Sequence, residues 1–168
     1  MARFDKGGIV RYGKAGVCRI TGITTLEAAG EEREYYVLTP VFKPASTLYV
    51  PVDNAVLVAK MRPLITEEEI AAASRKARET ETPWIHNFRK RSEAAHAALL
   101  SDDRADALCL IKAIFLRKKE LAREGKRIHT TDDGFLREAE TLFFGEVAFV
   151  TGEDLAAAAE RFYREWEP

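Results

Sequence analysis

The strongest constraint on this chain is a single change of hydrophobic period around Pro63-Leu64-Ile65. Before it, apolar residues alternate or cluster in short runs between turn residues. After it, they recur at the three-to-four spacing of helices. Side chains of a strand alternate between two faces, whereas those of a helix line one stripe. A chain that changes period once therefore builds two kinds of core. The sequence predicts a two-part α+β layout, with residues 1–64 as a β domain and residues 65–168 as a helical domain.

Four segments of the first part read as strands. Gly8-Ile9-Val10-Arg11-Tyr12-Gly13 is a short apolar run between glycines, and Val17-Cys18-Arg19-Ile20-Thr21-Gly22-Ile23 alternates roughly with period 2. Glu34-Tyr35-Tyr36-Val37-Leu38-Thr39-Pro40 and Thr47-Leu48-Tyr49-Val50-Pro51-Val52 are rich in the aromatic and β-branched residues that suit a pleated surface. Gly7-Gly8, Gly13-Lys14-Ala15-Gly16 and Ala28-Ala29-Gly30-Glu31 supply turn chemistry. Short strands, tight turns and no helical run predict a small, strongly bent antiparallel barrel. Pro51 denies its strand one backbone donor, which places it at a strand end or a sheet edge.

About five helices are expected after residue 65, each with its own start signal. Thr66-Glu67-Glu68-Glu69 is a capping box. Thr82-Pro83 reads as an N-cap followed by proline at the first helical position, which puts Trp84 in a helical first turn. Ser101-Asp102-Asp103 opens a third helix, with Gly125 as its left-handed terminator. Thr131-Asp132-Asp133 opens a fourth, carrying Leu136, Ala139, Phe143, Val147 and Val150 on one face. Thr151-Gly152-Glu153-Asp154 opens a fifth, with Leu155, Ala158, Ala159, Phe162 and Trp166 inward.

Composition narrows the function classes. The 168 residues carry 26 basic and 27 acidic side chains, and 46% are apolar, a globular balance. The charges are unevenly placed: residues 1–64 hold nine basic and six acidic groups, a net +3, which leaves −4 for the remainder. Arg75–Arg91 has six basic against two acidic residues and Lys112–Arg127 seven against two, a pattern that fits either a helical face meeting a polyanion or ordinary solvated helix faces. Ala2-Arg3-Phe4-Asp5-Lys6 has no apolar signal core, and no stretch approaches the roughly 18 apolar residues of a membrane helix. Cys18 and Cys109 stand outside any metal-ligand spacing and are expected as reduced core thiols in a cytoplasmic protein. His86, His96 and His129 form no ligand set, no nucleophile has a neighbouring His-Asp arrangement, and the glycines form no phosphate loop. The expectation is a binding protein rather than an enzyme, with no cofactor, metal or small-molecule ligand.

The N-terminal residues resemble the CarD/CdnL domain shared with the RNA polymerase-binding segment of the bacterial transcription-repair coupling factor. The resemblance rests on Gly8-Ile9-Val10-Arg11-Tyr12-Gly13-Lys14-Ala15-Gly16-Val17-Cys18-Arg19-Ile20, on Glu34-Tyr35-Tyr36-Val37-Leu38, on Thr47-Leu48-Tyr49-Val50-Pro51-Val52-Asp53-Asn54 and on Met61-Arg62-Pro63-Leu64. The helical part is similar to that family's C-terminal domain at Trp84, Arg89, Arg91 and Leu100-Ser101-Asp102-Asp103. Gly125-Lys126-Arg127-Ile128-His129, followed by Asp132-Asp133 and Glu138-Ala139-Glu140-Thr141-Leu142, looks like the version of anaerobic Gram-positive bacteria.

This resemblance implies a transcription regulator. Its barrel would be Tudor-like and would add an edge strand, here Thr47-Leu48-Tyr49-Val50, to the RNA polymerase β subunit. Its helical domain would reach promoter DNA at the upstream edge of the bubble. There Trp84 would wedge into the minor groove, with Arg89, Lys90 and Arg91 toward phosphates, and stabilise the open complex. Arginines that better-known members use at the polymerase surface fall on Leu26 and Tyr49, which makes that contact less charged. The stretch from Trp84 to Ser101 is about one helical turn longer than in those members. From the residues alone, Trp84 can equally be a staple that packs the linker onto the helical core. Likewise, the three consecutive positions 89–91 cannot share one helix face. An adaptor that works only through protein contacts, with no DNA role, is the alternative function.

Overall fold

A computed structural model describes residues 4–167, which divide into two compact units between Leu64 and Ile65. The first unit is a sheet of five strands: β1 (Ile9–Tyr12), β2 (Val17–Ala28), β3 (Glu31–Pro40), β4 (Leu48–Pro51) and β5 (Met61–Arg62). They pair antiparallel in the order β4-β3-β2-β1-β5. The long β2–β3 hairpin turns through Ala29-Gly30, with φ of 56° and 80°. Two positive φ values at the loop centre are the twist-matched solution for a two-residue turn. A bulge between Ile20 and Gly22 shifts the register, and the Thr21 hydroxyl donates to the Val37 carbonyl.

Two expectations for this unit fail. β4 pairs with β3 and β5 with β1, but no ladder joins β4 to β5, so the sheet is open and not a barrel. Closure needs a ladder between the end strands. Here those strands have only four and two residues, and a short helix, α1 (Ala55–Ala59), occupies the chain between them. That helix is the second difference, because the β-rich composition gives no sign of one. It forms because the Asn54 side chain accepts the Leu57 N–H at 3.1 Å. Val58 of α1 joins a core of Val10, Cys18, Ile20, Tyr36, Leu38, Val50 and Met61.

The second unit contains α2 (Glu67–Glu79), α3 (Phe88–Leu100), α4 (Arg104–Arg123), α5 (Thr130–Thr151) and α6 (Leu155–Trp166). The capping box at Thr66 is present with both bonds. Asp103 caps α4, and Gly125 follows its end with φ of 70°. Of the expected inner faces, Leu136, Ala139, Phe143 and Val147 of α5, and Ala158, Ala159, Phe162 and Trp166 of α6, are buried, while Val150 and Leu155 are half-buried against the same core.

Three helix starts are shifted. His129, not Thr131, caps α5, its Nδ1 accepting the Thr131 N–H at 3.2 Å. Thr151 is the last residue of α5 and Gly152 its left-handed cap, so Asp154 opens α6. The largest shift concerns α3, which begins at Phe88 with Asn87 as N-cap. Thr82-Pro83 starts no helix, and Trp84 lies in irregular chain rather than a helical first turn.

Candidate functional site

In the sheet unit the residues of interest surround β4. Its inward side chains fill the core: Val50 is fully buried opposite Tyr36, and Leu48 is half-buried opposite Leu38. Tyr49 faces outward at 50% exposure, its ring 6.4 Å from that of Tyr35 in a perpendicular contact. Leu26, exposed on β2, lies on the same face as Tyr49, because Gly22, Thr24 and Leu26 oppose Val37, Tyr35 and Arg33 in turn. Thr47 precedes β4.

The edge polarity of β4 follows from one hydrogen bond. The Val52 N–H donates to the Glu34 carbonyl at 3.0 Å, which makes 34:52 a bonded pair. Bonded pairs alternate along an antiparallel ladder, so 36:50 and 38:48 are bonded too. The main-chain groups of Leu48 and Val50 therefore point to β3, and those of Tyr49 point to the free edge. Pro51 has no N–H to offer. Within β4, Tyr49 alone offers the edge both a donor and an acceptor.

In the helical unit the segment between α2 and α3 carries Trp84. The indole is half-buried against the helical core. The Arg91 guanidinium lies 4.7 Å from its ring centre and that of Arg117 lies 5.7 Å away. Arg89 is 88% exposed and pairs with Glu93 at 3.2 Å, and Lys90 is exposed on the first turn of α3. Arg91 behaves differently. Its Nε and Nη2 donate to the two Asp132 carboxylate oxygens at 2.8 and 3.0 Å, and its Nη1 donates to the carbonyls of Ile85 and His86 at 2.9 and 3.2 Å. Arg89 and Lys90 thus face solvent while Arg91 is turned into the domain.

Asp132, 1% exposed on α5, and Arg117 are not among the residues that the sequence singles out for DNA contact. By its position Asp132 resembles a cap residue, and its partner is 41 positions away. Beside Trp84, Pro83, Ile85, Ala94, Ala98, Leu110 and Cys109 help line an open apolar cavity of about 670 Å³. Burial raises the Cys109 thiol above its ordinary value, and pushes that of Cys18 up to about 11. Both cysteines are free; Cys18 is fully buried and Cys109 half-buried. Among the described residues, no cluster of His, Cys, Asp and Glu is placed to hold a metal ion, and no helix is long and apolar enough to cross a membrane.

The sheet unit thus presents an unpaired strand edge with one exposed aromatic, Tyr49. Residues 4–65 match the family model of the CarD-like/TRCF RID domain. The match spans the sheet unit, including β4 and its edge, and ends at Ile65. Over these residues the sheet unit is similar to the CarD-like/TRCF RID domain, and the match lends no support to the anaerobic Gram-positive subtype. No curated protein matches the chain.

Proposed function

We propose that this chain is a CarD-like transcription regulator. Its sheet unit binds the RNA polymerase β subunit through the edge of β4. Its helical unit contacts promoter DNA at the upstream edge of the bubble, through Trp84 with Arg89 and Lys90, and stabilises the open complex without reading sequence. The CarD-like match across residues 4–65, on a sheet whose β4 edge is unpaired, carries this reading. An unpaired edge gives a partner strand main-chain hydrogen bonds for affinity, and outward side chains such as Tyr49 and Leu26 for register. Exposed cations beside an aromatic suit a duplex, the cations on phosphates and the ring at a base step.

A second reading is a protein adaptor with no DNA role. It is favoured by the packing of Trp84 onto the helical core and by the inward turn of Arg91. Capture of polymerase by the tagged chain, followed by open-complex decay with and without it, tests both. The regulator slows decay and binds DNA with an affinity that falls as salt rises. The adaptor captures polymerase and leaves decay unchanged.

A further inference from the structure

Among the described residues, no main-chain hydrogen bond to backbone holds residues 81–86. Two cations anchor the segment instead. At its start, the Lys112 ammonium donates to the carbonyls of Ala77 and Thr80 at 2.7 and 3.0 Å, closing the end of α2. At its other end, Arg91 takes the carbonyls of Ile85 and His86 and lies over the Trp84 ring. A guanidinium has five N–H donors in a rigid plane. Asp132 and the two carbonyls occupy four of them. A two-pronged phosphate contact needs two parallel N–H groups, and Arg91 has only one left.

We propose that Arg91, locked by Asp132, is the positioning residue that holds Trp84 in the orientation it presents to DNA, and is not itself a phosphate contact. The inference rests on the DNA-contact reading above and adds a role that reading does not contain. The geometry defines a chain of command. Asp132 is fixed in α5, with a 2% exposed side chain that no DNA reaches, and it fixes the plane of the guanidinium. The plane fixes the consecutive carbonyls of Ile85 and His86 and lies over the indole. Lysine cannot substitute, because a point charge has neither the fork nor the flat face.

The test uses the full chain labelled with 5-fluorotryptophan, which gives one fluorine resonance each for Trp84 and Trp166, assigned with Trp84→Phe. Asp132→Asn and Arg91→Gln should each move the Trp84 resonance and leave that of Trp166 in place. Each should also weaken binding to a forked promoter duplex by about fivefold or more, the lower end of what a stacked aromatic contributes. The slope of log affinity against log salt should stay as in wild type, because no phosphate contact is lost. If Arg91 does contact phosphate, Arg91→Gln lowers that slope by about 0.9 and Asp132→Asn leaves binding unchanged, which overturns the proposal. An unmoved Trp84 resonance in protein that binds DNA also overturns it. Wild-type protein with no salt-dependent DNA affinity overturns the DNA-contact reading, and the presenting role with it. Should Asp132→Asn lose the fold, Arg91→Lys keeps the charge in place, and it must still move Trp84 at constant slope.

Discussion

The buried charges show how single residues hold the helical unit together. Glu146 is 1% exposed on α5, and it accepts both from the Arg104 guanidinium, at 2.9–3.1 Å, and from the Ile65 N–H at 2.7 Å. The carboxylate thus ties the first residue of the unit to its central helix. Removing one member of a buried pair leaves a charge without compensation, at roughly 3–5 kcal/mol. Arg104→Met is therefore expected to lower unfolding free energy by about that amount. The double change Arg104→Met with Glu146→Met should recover part of the loss, leaving a deficit of about 1–3 kcal/mol for the orphaned Ile65 N–H. Urea unfolding of the two variants checks this; equal losses would show that the broken pairing of Glu146 with Arg104 is not what makes Arg104→Met costly. Sequence could not show this pair, because Arg104 looks like a first-turn helix residue and its partner is 42 positions away. Cys18 was legible as a core thiol because its strand alternates locally.

Elements were legible to the extent that their signals are local. The capping box at Thr66, the Asp103 cap and the glycine after α4 each depend on residues within a turn of one another, and all three are present. The start of α3 depends on more. Thr82-Pro83 has the right residue types, but the carbonyls of Ile85 and His86, which a helix begun there would bond internally, are taken by Arg91. Asn87 caps instead, its side chain accepting the Lys90 N–H at 2.9 Å. The open sheet has a similar cause, since pairing of the end strands is non-local and no strand announces it. The competing caps make a direct prediction. Asn87→Ala should cost about 1 kcal/mol, the usual value of a lost N-cap, and Thr82→Ala close to nothing. Thermal melting of the two variants distinguishes the assignments, and the reverse ranking would restore a helix start at Pro83.

On the scale of the whole molecule, acid stability reports the pairs that join helices. The Lys76 ammonium, hydrogen-bonded at 2.5 Å, holds the Asp103 carboxyl below its ordinary 3.8; Lys118 of α4 does the same to Asp133 of α5, and Arg137, in α5 itself, adds to it. A depressed carboxylate contributes stability that is present above its unfolded value and lost as pH falls through its folded one. Stability should therefore decline below about pH 4. Asp103→Asn, which keeps a capping oxygen for the Ala105 N–H, should flatten that decline. Urea unfolding at a series of acid pH values checks the slope.

The two units also make the proposed activities separable. Tyr49 lies in the sheet unit and Trp84 in the helical unit, so Tyr49→Pro is expected to act on polymerase capture and Trp84→Ala on DNA contact. Tyr49→Pro removes the one β4 N–H that points to the free edge and spares every bond to β3. Proline is tolerated at such positions, so the sheet should remain folded. Polymerase capture should fall sharply, while affinity for a forked duplex stays at the wild-type level. Trp84→Ala should do the opposite. Capture is retained, and open-complex lifetime shortens by roughly tenfold, as expected for loss of an inserted aromatic worth on the order of 1–3 kcal/mol. Because the indole is also packed under Arg91, some thermal stability should be lost with it, though less than the roughly 3–5 kcal/mol of a fully buried aromatic. A Trp84→Ala protein that melts early but leaves decay kinetics normal would make the tryptophan a staple alone, and would move the chain to the adaptor reading.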